Sequence, residues 1–269
     1  MHRRHLFKLG RNGLLFAATA TFAPTVQAQT QPKTQVKTQV KTQSAAPRLS
    51  LQWLGHMAFL IKGSGTEILT HPFRSGGCTS GLTLPKLNPD LVLISSRLLD
   101  EGYLSVPTLP ANFPNRKVLS EPGAYSLGGI QFQGIRMAHD REEGRRFGTN
   151  VAWLWNQGGM RILHLGGAAA ALTPEQRILM GRPNILILPV GGGTKGYNAA
   201  EAKTVADSLN PQVIVPVHFR TAKSSSSCEL EIVDQFLALY PKEQIKRLNT
   251  NSLALNSLPS TPEVVVFKL

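Results

Sequence analysis

Two apolar runs constrain this chain more than anything else in it. ILILPV occupies residues 185–190 and VIVPVH residues 213–218. Neither alternates with polar residues, so each reads as a strand buried on both faces. Between them lies NAAEAKTVADSLN, residues 198–210. Asn198 is placed to cap a helix, Glu201 stands three residues on, and Asn210-Pro211 stops it. Strand, glycine loop, helix, strand is an α/β unit. Pro174–Met180 and Glu229–Leu239 read as further helices, and EVVVFKL at the end as a strand.

The first half has another style. SLQWL (50–54), MAFLIKG (57–63) and TEILTHPF (66–73) read as successive strands, with a Gly-Ser-Gly turn at 63–65. Short strands follow at Leu91–Ser95, Lys117–Ser120, Ile130–Met137, Asn150–Trp155 and Met160–Leu165. Antiparallel strands first and α/β alternation later imply packed sheets with helices outside.

The chain starts as an address. Residues 1–28 have a basic start, an apolar run from Leu14 to Ala23, and small residues at Val26 and Ala28. That predicts a cleaved export signal, and RRHLFK at 3–8 is similar to a twin-arginine motif. Residues 29–48 repeat KTQ and have almost nothing to bury, which predicts a disordered linker. The folded body is then 49–269, and the expected location is the periplasm or cell envelope. The first 48 residues hold eight of the 29 basic residues and none of the 16 acids, so the body's net charge is +5 rather than the chain's +13. That excludes a basic nucleic-acid surface. No apolar stretch in the body is long enough for a membrane span. Export permits a disulfide, and the two cysteines, Cys78 and Cys228, are either bonded or free.

Three segments resemble a known family. WLGHMAFLI (53–61), HLGG (164–167) and LPVGGGTKGYNAAEAKTVADSLNPQVIVPVHFRT (188–221) are similar, in order and spacing, to the metallo-β-lactamase fold. The branch is that of WLGHA-type hydrolases, which includes ascorbate-6-phosphate lactonase-like proteins and zinc-dependent hydrolases without a known substrate. The resemblance covers about residues 50–269 and implies a four-layer αββα sandwich with a site along one sheet edge. It also implies two zinc ions held by a T-H-x-H-x-D-H loop after the strand that ends at Ile94, by two later histidines and by a bridging aspartate.

The loop here is Ser95-Ser96-Arg97-Leu98-Leu99-Asp100-Glu101. Ser96, Leu98 and Glu101 stand at the three histidines, and only Asp100 matches. His139 and His218 match the later histidines, the bridging aspartate falls on Gly167, and an early D-P-F aspartate falls on His71. Three of the seven ligand positions survive. Leucine and glycine have no ligand atom, so a dinuclear centre is not expected. Asp100, Glu101 and His218 remain as donors for one Zn, Mn or Fe ion, with His139 or His71 as a fourth.

The candidate site residues are therefore Asp100, Glu101, His139 and His218, with His56 of WLGH as a pocket residue that acts or braces. The competing reading of Asp100 and Glu101 is a helix start. His164, among apolar neighbours, reads as a buried and satisfied histidine, and His71 as a turn residue. Trp153 and Trp155 share a strand face and read as packing. Arg97 could supply charge where a metal is lost. Gly191–Gly193 lacks the lysine spacing of a P-loop, and the resemblance implies that this loop is a pocket wall. Two functions are expected: a non-hydrolytic binding or scaffold module for a small molecule, or a mononuclear hydrolase of lactones or phosphoesters.

Overall fold

The computed structural model describes residues 46–104, 109–110, 112, 114 and 117–269. The expected export signal over residues 1–28, its expected cleavage, and nearly all of the KTQ linker lie outside the described residues. No helix among the described residues is long and apolar enough to cross a membrane.

Among the described residues, fourteen strands form two sheets. The first half supplies β1 (Leu49–Gly55), β2 (Ala58–Gly63), β3 (Thr66–Thr70), β4 (Leu91–Leu93) and β5 (Val118–Leu119), then β6 (Gly123–Leu127), β7 (Ile130–Ala138), β8 (Thr149–Gln157) and β9 (Met160–His164). Helix α1 (Pro174–Met180) precedes β10 (Ile185–Pro189), and α2 (Ala199–Leu209) precedes β11 (Val213–Val217). The chain ends with α3 (Val233–Leu237), β12 (Ile245–Arg247), β13 (Ser252–Leu255) and β14 (Glu263–Val266). The six-stranded sheet runs β13-β1-β2-β3-β4-β5, and the eight-stranded sheet β12-β14-β11-β10-β9-β8-β7-β6.

Alternation along the strands explains the layers. In β2, Phe59 and Ile61 point into the core shared by both sheets, while Ala58 and Leu60 point into a second, outer cluster. Leu91 and Leu93 of β4 do the same with Val92 between them. Both faces of this sheet are therefore buried, which is why its strands read as apolar runs. Loop residues Phe73, Leu82 and Leu109 cover the outer face, where the described residues include no α-helix. The other sheet carries α1 against β7 and α2 against β10. The result is the expected α/β sandwich of two packed sheets.

Helix α2 has the cap read from its sequence: Asn198 accepts from Glu201 N–H, Glu201 accepts from Asn198 N–H, and Asn210 closes it in the left-handed region. The helix expected over Glu229–Leu239 is shorter, Val233–Leu237. Its first residues are held extended, because Arg220 N–H donates to Glu231 O and Glu231 N–H to Gly191 O. Strands β6, β12 and β13 were not legible, being short and largely exposed. Cys78 and Cys228 form a disulfide, with Cα atoms 4.7 Å apart.

Candidate functional site

Strand ends from both sheets meet at one edge. Strands β3, β4 and β5 run parallel, as do β9, β10, β11 and β14. Their C-terminal ends deliver loops to a common place, as α/β sheets do. All five histidines of the described residues lie just past such an end or at it: His56 after β1, His71 after β3, His139 after β7, His164 closing β9 and His218 after β11. All five are buried. Rings of His56 and His218 stand 4.6 Å apart, and those of His71 and His164 4.0 Å.

Three of them share an uncommon backbone. His56, His71 and His218 have φ of 53°, 47° and 53°. Each turns the chain sharply at the strand end in a conformation that costs an L-residue about 1–2 kcal/mol. Strain of this kind gathers at functional sites.

Burial keeps the imidazoles of His56, His71, His164 and His218 neutral. It pushes His56 down to about 4, with the charge of Asp100 pulling the other way. It pushes His71 down to about 4 as well, and His164 and His218 well below the usual value. Neutral imidazoles keep a lone pair, which is what a metal needs. His164 has already used its nitrogens: Nε2 faces Met57 O at 3.0 Å, and Nδ1 accepts from Gly166 N–H. It is the satisfied core histidine expected. His71 is no surface turn residue: it is fully buried, and neither nitrogen has a partner.

The remaining groups divide into an outer and an inner set. The outer set is His56, Asp100 and His218, whose ligand atoms all lie within 4.8 Å of one another. His56 Nε2 is buried, unpartnered and 3.9 Å from Asp100 Oδ2. These residues floor a cavity of about 450 Å³ whose walls include Arg74, Leu99, Lys195, Glu229 and Leu230. The Lys195 ammonium pairs with Asp100. Sequence reading missed Lys195, which sits in an irregular loop with no periodicity to announce it. Arg141 fixes that loop from both sides, donating to Gly193 O and Gly196 O and pairing with Glu201. The loop passes so close over His218 that a Cβ on Gly196 would lie 2.6 Å from Nδ1.

The inner set is Glu101 with His139. Glu101 is 1% exposed and bonds His139 Nε2. Ser96 Oγ donates to its Oε1 at 2.7 Å and Ser95 Oγ to its Oε2 at 3.0 Å. Burial alone would raise its pKa, but the His139 bond and charge, the Ser96 hydroxyl and the Lys195 charge hold it well below the carboxylate range. Asp100 and Glu101 lie in a turn and start no helix. Of the expected donors, Asp100 and His218 come together, joined by His56, which was expected only as a pocket residue, while Glu101 and His139 pair with each other. Arg97 points away, to Ser120 Oγ.

Two indoles tie the scaffold to the site. Trp53 Nε1 donates to His56 O at 3.1 Å, and Trp153 Nε1 to Ile94 O at 2.9 Å. The disulfide is adjacent, since Cys78 lines the cavity and Cys228 precedes Glu229 and Leu230.

A two-ion centre does not fit these residues. Leu98 and Gly167 offer no ligand atom, and Glu101 is bonded to the histidine that an inner ion would take. One ion on the outer set does fit by donor chemistry: two imidazoles and a carboxylate, with His56 Nε2 and His218 Nδ1 both without a partner.

The family profile described as Beta-lactamase superfamily domain matches residues 50–218. A protein of Thermoplasma acidophilum named a metal-dependent hydrolase is 26% identical over 190 residues, spanning 64% of this chain and 84% of its own. A Thermotoga maritima crystal structure, described as a candidate Zn-dependent hydrolase of the metallo-beta-lactamase superfamily, aligns with a TM-score of 0.64 at 30% identity. It covers 81% of this chain and 98% of its own. An isothiocyanate hydrolase from Delia radicum gut bacteria shares the fold, with a TM-score of 0.58 at 15% identity over 77% of this chain and all of its own.

Proposed function

The chain belongs to the β-lactamase superfamily domain family, and from that premise we propose that it is a hydrolase built on one cation position rather than two. The observation that carries this reading is the convergence of His56, Asp100 and His218 on the cavity floor. An ion held there would polarise a carbonyl or phosphoryl oxygen and lower the pKa of a bound water. The chain's own residues complete the pocket. Lys195 holds Asp100 in place and offers positive charge beside the reacting position. Arg74 on the rim attracts anionic groups, while Leu99 and Leu230 reduce water access. A small lactone or phosphoester carrying negative charge matches this set. The disulfide supports an exported, oxidising location, in keeping with the N-terminal signal.

The test is elemental analysis of the purified full chain, prepared without chelator or nickel, beside D100N and H218A. About one equivalent of Zn, Mn or Fe is expected, lost in both variants. A metal-free wild type that stays metal-free on titration sinks the proposal. A second reading, a non-hydrolytic binding module, is favoured by the Lys195–Asp100 pair, in which the ammonium itself takes the cation's place. On that reading K195A acquires a metal affinity that the wild type lacks.

A further inference from the structure

Glu101 reaches the interior from the turn after β4, and Gly167 faces it from just beyond β9. A Cβ on Gly167 would lie 2.8 and 2.9 Å from Cε1 and Nε2 of His139, and closer still to Glu101 Oε2. The backbone of Gly167 is outside the left-handed region, so its φ does not call for glycine. What excludes a side chain is the Glu101 carboxylate, nearest of all, together with the His139 ring that it bonds. We infer that Glu101 and Gly167 are the two halves of one exchange: the buried carboxylate facing His139 comes from the β4 turn instead of from β9, and it closes the inner end of the site to cations.

The surroundings fit a permanent occupant. Both carboxylate oxygens are engaged, one by His139 and Ser96 and the other by Ser95. The Ser96 hydroxyl also accepts from Leu98 N–H, which fixes the turn carrying Glu101. Val151 N–H donates to Ser95 O, and Trp153 to Ile94 O, so the end of β4 is anchored to the opposing sheet. Three positions that look like unrelated losses along the sequence therefore meet in one place: Ser96 is bonded to Glu101, and Gly167 leaves the space that the Glu101 carboxylate fills. A buried carboxylate with every oxygen satisfied beside a histidine is a stable brace, whereas the same carboxylate left alone is costly. The outer set lines the cavity, with His56 Nε2 and His218 Nδ1 unpartnered; in the inner set His139 Nε2 is taken by Glu101, and its unpartnered Nδ1 is buried. This assignment goes beyond the proposed function and does not depend on an ion binding outside.

The test is an exchange cycle read by thermal unfolding in EDTA. E101A lowers Tm by roughly 6–20 °C, the loss expected on breaking a buried charged pair in a body of this size. G167D also lowers Tm, because two carboxylates then compete for one place. E101A/G167D recovers at least half of the E101A loss, the carboxylate having returned from the other strand. A double variant that melts at or below the sum of the two single losses overturns the inference. A second measurement covers failure of E101A to fold. H56A/H218A is titrated with zinc ion and its bound zinc counted. No zinc that depends on Glu101 is expected. A stoichiometric ion in H56A/H218A that E101Q removes would lie in the inner set and overturn the inference. A wild type that binds no zinc defeats the proposed outer site and leaves the exchange standing.

Discussion

Acid should unfold this protein well above the range where carboxylates titrate, and His71 isolates the reason. Its ring is fully buried against His164, near His56 and Glu101, and burial lowers its pKa from 6.5 to about 4. The unfolded chain takes up this proton near pH 6.5, and the folded chain only near pH 4. The unfolded state therefore binds more protons throughout that window. Stability is complete above about pH 6.5, falls as pH drops, and levels off below about 4. A shift of this size is worth roughly 3 kcal/mol for one histidine, or about 1.4 kcal/mol per pH unit in mid-window. His56, also lowered to about 4, adds a similar amount. Together they approach the whole stability of an ordinary domain. Glu101 does not offset this, because its lowered pKa contributes stability that is lost only below its unfolded value, near 4.5. The perturbation is H71N, since asparagine tolerates the φ of 47°. Urea unfolding is measured from pH 7.5 to 4.5 at fixed ionic strength, with EDTA and the disulfide intact. H71N should be less stable at pH 7.5 but lose stability more slowly, by about 1.4 kcal/mol per pH unit. Parallel pH profiles, or a wild type equally stable at pH 7 and 5, would refute the reasoning.

Further outcomes are checked with other variants. Removing the disulfide as C78S/C228S opens a crosslink across 150 residues, worth about 5 kcal/mol by chain entropy, so Tm should fall by roughly 10–20 °C; calorimetry with and without reductant measures it. H56G should be more stable than H56A by about 1 kcal/mol, and H218G than H218A, because glycine adopts the left-handed turn without strain. Denaturant midpoints decide it, and zinc binding should be lost in all four.

The sandwich was legible because its signals are local. Residues 185–218 announce two buried strands and a capped helix by run length and by the Asn198–Glu201 pair, and those elements appear where expected. The helix over Glu229–Ile232 was misread because its periodicity is overridden by backbone bonds to Arg220 and Gly191, distant in sequence. The site was legible in its members but not in its grouping. Asp100 and Glu101 are neighbours in the chain, yet one faces Lys195 and His56 in the cavity and the other turns inward to His139. Which way each carboxylate points is decided by Ser95, Ser96 and the space left by Gly167. No spacing rule encodes that choice. His71 was hidden for a related reason: a turn-like His-Pro pair at a strand end gives no hint that the other sheet covers it.

The two indole bonds described above have a practical consequence. The protein has three tryptophans, and two of them donate their N–H to backbone carbonyls of the very loops that carry His56 and the Ser95–Glu101 turn. Their emission senses the field at those carbonyls. Intrinsic fluorescence is thus a resident optical gauge with one needle on each side of the cavity, and ligand or ion entry can be followed in unlabelled protein, with W53F and W153F reading the two sides separately.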